Sequence, residues 1–383
     1  MALTDASVIL EAEATPESAG FSAAGLAEIR RRLEVDVAGG KIPGAVWLVE
    51  RRGRLACLEA IGYRNRAAAT AMTTDSIFRI YSMTKPMTSI ALMMLVESGR
   101  IGLDDPVADY LPEFGAPTVG VARAPCPTVM TVRHLMTHTA GLTYGVFDFS
   151  PVGPLYIKAG VHGRDQTLAE MCAKLGPLPL SSAPGSQWEY SVATDVVGRL
   201  VEVVSGQGFD RFLEARIFDP LGMVETGFFV PESEHGRMAE SSGEKLIDRR
   251  RPAKMLSGGG GLVSTASDYL RFARAILAGG GGLVSPETLA EMARDQIGAL
   301  AGTGPLYIPG GGYGFGLGFA VRTQEEGWAP GAIGDLSWGG YAGTYFWVDP
   351  LNDLIAMFLV QAPERREHYR ALIRRLVYAA LAE

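Results

Sequence analysis

A chain of 383 residues, 47% apolar and 20% charged, has the composition of a globular protein long enough for two domains, and excludes a disordered or fibrous one. Its net charge of −7 argues against a general nucleic-acid surface, and the one dense basic run, Arg249-Arg250-Arg251, reads as a solvated loop. The first twenty residues lack the basic start and apolar core of a signal peptide, and no apolar run reaches the ~18 residues that a bilayer requires. Cys57, Cys126 and Cys172 are odd in number, widely spaced and without a CxxC pattern, as expected of reduced thiols in a cytoplasmic protein.

Taken in order, Ser22 to Val37 has helical spacing of Leu26, Ile29, Leu33 and Val37, with Ser22 as cap and Gly39-Gly40 as stop. Gly44 to Val49 and Leu55 to Ile61 read as strands of a hairpin turning at Arg52-Gly53, followed by a loop over 64–76. A short β-like run ends at Tyr81, and a long helix starts beside Ser82. Pro86 fits only a first helical turn, where its missing N–H is no loss. From there to Val96 every face is apolar or small, so this helix belongs inside the protein.

Its first turn carries Ser82 and, three residues on, Lys85. That spacing puts hydroxyl and amine on one face at the positive end of the helix dipole. Burial disfavours the charged form of an amine, so a lysine there suits the task of activating the serine. The same spacing recurs at Ser242-Gly243-Glu244-Lys245, but in a polar stretch that reads as surface loop.

Thr131 to Leu142 reads as a capped short helix ending at Gly141. His134 and His138 stand four apart, a metal-compatible spacing, yet no Glu follows His134 and no carboxylate cluster is near. They are expected to be structural histidines near the active-site floor. Gln166 to Leu175, Val196 to Val204 and Asp210 to Phe218 read as further helices, and 225–255 as irregular and exposed. Ser267 or Asp268 is expected to cap a helix running to Leu277. The glycine runs at 258–261 and 279–282 lack the Lys-Ser/Thr of a phosphate loop and read as flexible turns. Tyr313 to Val321, Gly331 to Trp338, Gly343 to Val348 and Leu354 to Val360 read as strands, the last two joined by a turn over 349–353. Glu364 to Leu381 closes as a helix. Strands at both ends with helices between imply an α/β domain from 1–81 and 250–383, with a helical domain, 82–249, inserted.

Three motifs stand in a telling order: Ser82-Met83-Thr84-Lys85, then Tyr190-Ser191-Val192 after a Pro-Gly-x-x-Trp-x lead-in, then Trp338-Gly339-Gly340 before a strand. With His134-Leu135-Met136-Thr137-His138-Thr139-Ala140-Gly141-Leu142 and Gly260-Gly261-Leu262-Val263-Ser264-Thr265, the chain resembles the serine β-lactamase and penicillin-binding-protein superfamily, class C branch. Within it the chain is most similar to the family VIII carboxylesterases. The resemblance runs from about Ile42 to Val360. It implies a β-lactamase-like fold, an antiparallel sheet flanked by N- and C-terminal helices plus a helical domain, with the active site between.

Carried over residue by residue, the resemblance makes Ser82 the nucleophile, Lys85 its partner, and Tyr190 the phenol that shuttles the proton. It makes the backbone N–H groups of Ser82 and Tyr341 the oxyanion hole. Trp338, Gly339, Gly340 and Val192 line the substrate pocket. Valine replaces the superfamily's Asn and tryptophan its Lys of Lys-Thr-Gly, so an apolar, anion-blind pocket favouring neutral esters is expected. No Gly-x-Ser-x-Gly elbow exists, and nothing nominates a histidine for a Ser-His-Asp triad. The expectation is a serine carboxylesterase acting on short acyl or aryl esters through an acyl-enzyme, with no cofactor or metal and no nucleic-acid or membrane partner. A homo-oligomer is compatible with the sequence. The alternatives are a β-lactamase or D-amino-acid peptidase, an acyltransferase to an alcohol, and a catalytically idle ligand-binding relative.

Overall fold

The computed structural model describes residues 14–146, 150–304 and 306–382. Eight strands form one antiparallel sheet: β1 (Gly44–Arg51), β2 (Arg54–Asn65), β3 (Thr70–Ala71), β4 (Tyr313–Phe315), β5 (Ala320–Arg322), β6 (Leu336–Gly339), β7 (Tyr345–Asp349) and β8 (Leu354–Val360). Their order is β3-β2-β1-β8-β7-β6-β5-β4, so strands from the two ends of the chain meet where β1 pairs with β8, Ala45 opposite Val360. The fold is β-lactamase-like, of mixed helix and antiparallel sheet.

Alternation along β1 explains the layering. Val46 and Leu48 point into a large core shared with the central helix, while Ala45, Trp47 and Val49 point into a second core. The second core is closed by α1 (Ala23–Ala38) and by a C-terminal helix (Arg366–Ala379), which pack on each other. Both faces of the sheet are therefore covered, which is why its strands read as apolar runs. The Arg52-Gly53 turn of the β1–β2 hairpin has φ of 54° and 68°, the left-handed pair that a tight hairpin demands. Ser22 caps α1 as expected, its Oγ accepting from Gly25 N at 3.3 Å.

On the inner face lie α2 (Thr84–Glu97), α3 (Ala193–Ser205) and α4 (Ala266–Leu277), and α2 packs along α3. Every residue of α2 from Thr84 to Leu95 is buried. One apolar cluster runs without a break from the sheet (Val46, Ile355) through α2 to α3 (Val197, Val201).

Four expectations need correction. The β-like run ends at Arg79, because a 3-10 turn over Tyr81–Met83 intervenes and delays the helix to Thr84. The strand foreseen from Tyr313 to Val321 is the hairpin β4–β5. Gly318, at φ 97°, breaks it and lets the chain touch the central helix, where a methyl group would fall 2.2 Å from Ser89 Oγ. The cap of α4 is Thr265, whose Oγ1 accepts from Asp268 N at 3.3 Å; Asp268 instead accepts from Glu225 N and Thr226 Oγ1. Finally, 225–255 is irregular apart from a 3-10 turn but not uniformly exposed: Val230, Met238, Ala239 and Arg249 are buried. Among the described residues, no helix is long and apolar enough to cross a membrane.

The C-terminal helix, α5 (Arg366–Ala379), also buries a charge that its apolar stripe conceals. Arg374 is fully buried, pairs with the equally buried Asp335, and donates to Tyr345 Oη at 2.7 Å and Pro330 O at 2.6 Å. Removing one member strands the other in a dry interior. Arg374→Met is expected to cost about 3–5 kcal/mol of stability in urea denaturation. Adding Asp335→Leu is expected to restore most of it; a single variant as stable as the parent would contradict this assignment.

Candidate active site

The position of Ser82 is set from both sides. Phe78 and Arg79 pair with Ser264 and Val263, and Ile80 N donates to Leu262 O at 3.2 Å, which fixes the chain entering the turn. Tyr81 then takes φ 45°, uncommon for a side chain of its size, and delivers Ser82 to the mouth of the helix. Lys85 follows as the second residue of α2, 1% exposed. Tyr190 arrives from the loop before α3 and is 8% exposed.

These three side chains converge. Tyr190 Oη donates to Ser82 Oγ at 2.6 Å, and Lys85 Nζ donates to Ser82 Oγ at 3.3 Å. Lys85 Nζ also lies 4.5 Å from the centre of the Tyr190 ring. Its two other hydrogen bonds go to Tyr144 Oη at 2.8 Å and Gly259 O at 2.7 Å. The amine is thus held by acceptors on three separate segments and, among the described residues, makes no ion pair with a carboxylate.

Tyr144 was not singled out from the sequence. It lies two residues beyond the His134–Leu142 string, the signal that could have found it. Burial first, then the neighbouring Tyr190 and Asp195, push its phenol well above the usual tyrosine range, so it stays protonated. Asp195, 4% exposed, was likewise missed. It accepts from Ser257 Oγ at 2.5 Å and Gly259 N at 3.0 Å, aiming the Gly259 carbonyl at Lys85. The glycines of 258–259 are therefore tight-fitting and not simply flexible. A methyl group on Gly258 would fall 2.6 Å from Thr194 O, and one on Gly259 2.8 Å from Asp195 Oδ2.

Across the cleft, Trp338 and Gly339 end β6 and Gly340 follows. A methyl group on Gly340 would lie 2.3 Å from Ile80 O, so this segment is pressed against the backbone just ahead of Ser82. The Tyr81 and Tyr341 rings meet edge-on at 5.6 Å, and Tyr341 Oη donates to the Glu244 carboxylate at 2.8 Å. Trp338 is 4% exposed and its ring lies 5.6 Å from that of Tyr190; it belongs to the core and to the cleft wall at once. Val192, 1% exposed, lines the cleft from the N-terminus of α3.

His138 lies under Tyr190, ring centres 5.0 Å apart, and also against Trp188 and Phe315. Burial, then the charge of Lys85, holds it well below the ordinary histidine value, and its Nδ1 faces Ser191 Oγ at 3.3 Å. His134 serves a helix cap, accepting from Thr131 N at 3.1 Å. No group of His, Cys, Asp or Glu among the described residues could hold a metal. Ser242 and Lys245 of the second Ser-x-x-Lys match are both exposed.

The cleft holds about 990 Å³ and is walled by Val161, Met171, Met255, Tyr307 and Trp328 as well as Trp338. It is not anion-blind: Arg164, Arg249 and Arg370 all line it. The replacement of lysine by Trp338 removes one cation, but Arg164, Lys245, Arg249, Arg366 and Arg370 bring others to the cleft from elsewhere in the chain.

This architecture has close counterparts. A family model described as Beta-lactamase matches residues 29–380. The chain is 34% identical to Esterase EstB of Burkholderia gladioli over 348 residues, 83% of this chain and 86% of that protein. It is 26% identical to monacolin J acid methylbutanoyltransferase of Aspergillus terreus, over 76% of this chain and 78% of the relative. Its fold is similar to the solved structure of EstCE1, a hydrolase with promiscuous acyltransferase activity, with a TM-score of 0.80 and 29% identity, covering 93% of this chain and 99% of that one. A match over nearly its whole length, with a serine, a lysine and a phenol in mutual contact, makes this chain a member of the beta-lactamase family.

Proposed function

We propose that the chain is a serine carboxylesterase in which Ser82 is acylated by short acyl or aryl esters. The observation that carries the reading is the contact of Ser82 Oγ with Tyr190 Oη and Lys85 Nζ at the floor of an apolar cleft. For Ser82 to attack an ester carbonyl, its hydroxyl proton passes to the Tyr190–Lys85 pair. That proton then goes to the departing alkoxide as the C–O bond breaks. Water, deprotonated by the same pair, cleaves the acyl-enzyme and regenerates the serine. Two phenols are near Lys85, and Tyr190 is the one whose Oη meets Ser82 Oγ, at 2.6 Å, which supports it as the shuttle.

The oxyanion that forms in each half-reaction is assigned to the N–H groups of Ser82 and Tyr341. Support comes from the packing of Gly340 against Ile80, which brings the two segments side by side with no side chain between. Trp338, Gly339, Gly340 and Val192 are assigned to the substrate wall, where valine and tryptophan stand in place of the Asn and Lys of the β-lactam pattern. Similarity to Esterase EstB supports ester hydrolysis. Acyl transfer to an alcohol uses the same intermediate, and the named activity of EstCE1 supports it as a second reading. The 82–249 stretch is the part that we assign to an inserted helical domain, the cleft lying where it meets the sheet.

Hydrolysis of p-nitrophenyl acetate and butyrate is expected, and Ser82→Ala is expected to abolish it. Full activity in that variant would remove the assignment. A chromogenic cephalosporin is expected to turn over far more slowly than these esters; faster ring opening would favour a β-lactamase.

A Ser-His mechanism finds no support, because the side chains that contact Ser82 Oγ are Tyr190 and Lys85, while His138 faces Ser191 and is kept by burial from taking up a proton. That has a consequence for stability. The folded state resists protonating His138, whereas the unfolded chain binds the proton below its ordinary value of 6.5. Stability is then lost as pH falls, by up to about 1.4 kcal/mol per pH unit for this one group. Denaturation at pH 7.5 and 5.5 is expected to show a smaller acid-side loss in His138→Gln than in the parent. An equal loss in both would contradict the assignment.

A further inference from the structure

We infer that the ester this cleft takes carries an anionic group, a carboxylate, held between Arg249 and Arg164. The inference rests on the esterase reading, since it names the substrate class of that same cleft. Arg249 comes from the basic run that reads as surface loop, yet it is 5% exposed and lines the cleft. Its side chain makes one hydrogen bond among the described residues, from Nη2 to Gly260 O at 3.0 Å. No carboxylate among the described residues pairs with it. Arg164, on the same wall, has a buried Nε with no hydrogen-bond partner and no ion pair.

The other buried arginines each have an ion pair or several acceptors, although Arg370 also leaves its Nε without a hydrogen-bond partner. Arg79 pairs with Glu240, Arg370 with Glu367 and Arg374 with Asp335, while Arg322 places its donors on three backbone carbonyls and Tyr313. The acids around Arg249 are already engaged: Asp248 and Glu240 by Arg250, Glu244 by Tyr341, Asp195 by Ser257 and Gly259. Asp195 and Glu244 also line the cavity, but among the described residues neither forms an ion pair with Arg164 or Arg249, so two guanidiniums face one cavity without a direct carboxylate partner. Burial, and then the field of Arg164, draws the Arg249 pKa down to about 10, a sign of how poorly the pair is compensated. Uncompensated buried charge is costly to a fold and concentrates where a ligand supplies the opposite charge.

The location fits a substrate group. Gly260, whose carbonyl Arg249 holds, lies against the nucleophile's backbone, and a methyl group there would stand 3.9 Å from Ser82 N. Lys245, exposed and lining the same cleft, adds a third cation. Val161, Met171 and Met255 give the intervening carbon chain an apolar wall. A planar guanidinium accepts a carboxylate through two parallel hydrogen bonds, so a free acid gains what its methyl ester does not.

The test compares acids with their own methyl esters. Mono-p-nitrophenyl glutarate against p-nitrophenyl methyl glutarate puts the charge on the acyl part; 4-acetoxybenzoate against methyl 4-acetoxybenzoate puts it on the leaving group. In one pair kcat/KM is expected to favour the acid by about tenfold or more, as a charged hydrogen bond does. That ratio is expected to fall toward one in Arg164→Gln and Arg249→Gln. Equal turnover of acid and methyl ester in both pairs would overturn the inference. Calorimetric binding of glutarate to Ser82→Ala protein supplies a readout free of catalysis, and Arg164→Gln is expected to weaken it at least as much. Unchanged or absent glutarate binding would overturn the inference. If no ester turns over at all, the esterase reading falls, and glutarate binding still decides the anion site. Arg164 is partly exposed, so its variant tests the site even if Arg249→Gln does not fold.

Discussion

A single amino group ties the molecule together. Lys85 Nζ reaches Ser82 in the 3-10 turn just ahead of its helix, Tyr144 from the loop after the His134 helix, and Gly259 from the glycine run. These segments lie as far as 174 residues apart in sequence. The amine is 1% exposed, so each partner replaces water that folding has removed. If any of these acceptors is displaced, the lysine loses both its solvation and its aim at Ser82. Much of the surrounding structure can be understood as keeping them in place. Asp195 holds Gly259, the central helix is wrapped on every side, and Tyr81 is kept in a left-handed conformation to present Ser82.

That arrangement explains why the glycines are where they are. At 258, 259 and 340 the backbone passes so close to a carbonyl or carboxylate that any side chain would push the site apart. The same closeness brings the Gly340-Tyr341 segment against Ile80, beside the serine. Catalytic geometry and backbone packing are one constraint here, since the contacts that fix Ser82 are also those that close the cleft floor.

Much of this was legible in the sequence where local pattern and chemistry coincide. The helix carrying Lys85 announces itself through unbroken apolarity and Pro86, and α1 through its cap and its stop. What stayed hidden depends on tertiary placement. Arg249 sits in a run of three arginines that looks solvated, yet the fold turns that one inward and leaves its neighbours outside. Tyr144 and Asp195 act through partners more than 50 residues away, and no local spacing marks them. Arg374 lies in an ordinary amphipathic pattern and is revealed only by Asp335 facing it. The 313–321 stretch reads as one strand because Gly318 shows its role only against Ser89.

The account turns on Ser82 being the one serine made nucleophilic by its neighbours. Its most direct test is the intact mass of the protein after treatment with an irreversible serine phosphonate, with the adduct located by peptide sequencing. The account predicts one adduct, on Ser82, formed much more slowly in Tyr190→Phe. No adduct, or one on Ser242 or another exposed serine with Ser82 unmodified, would contradict it.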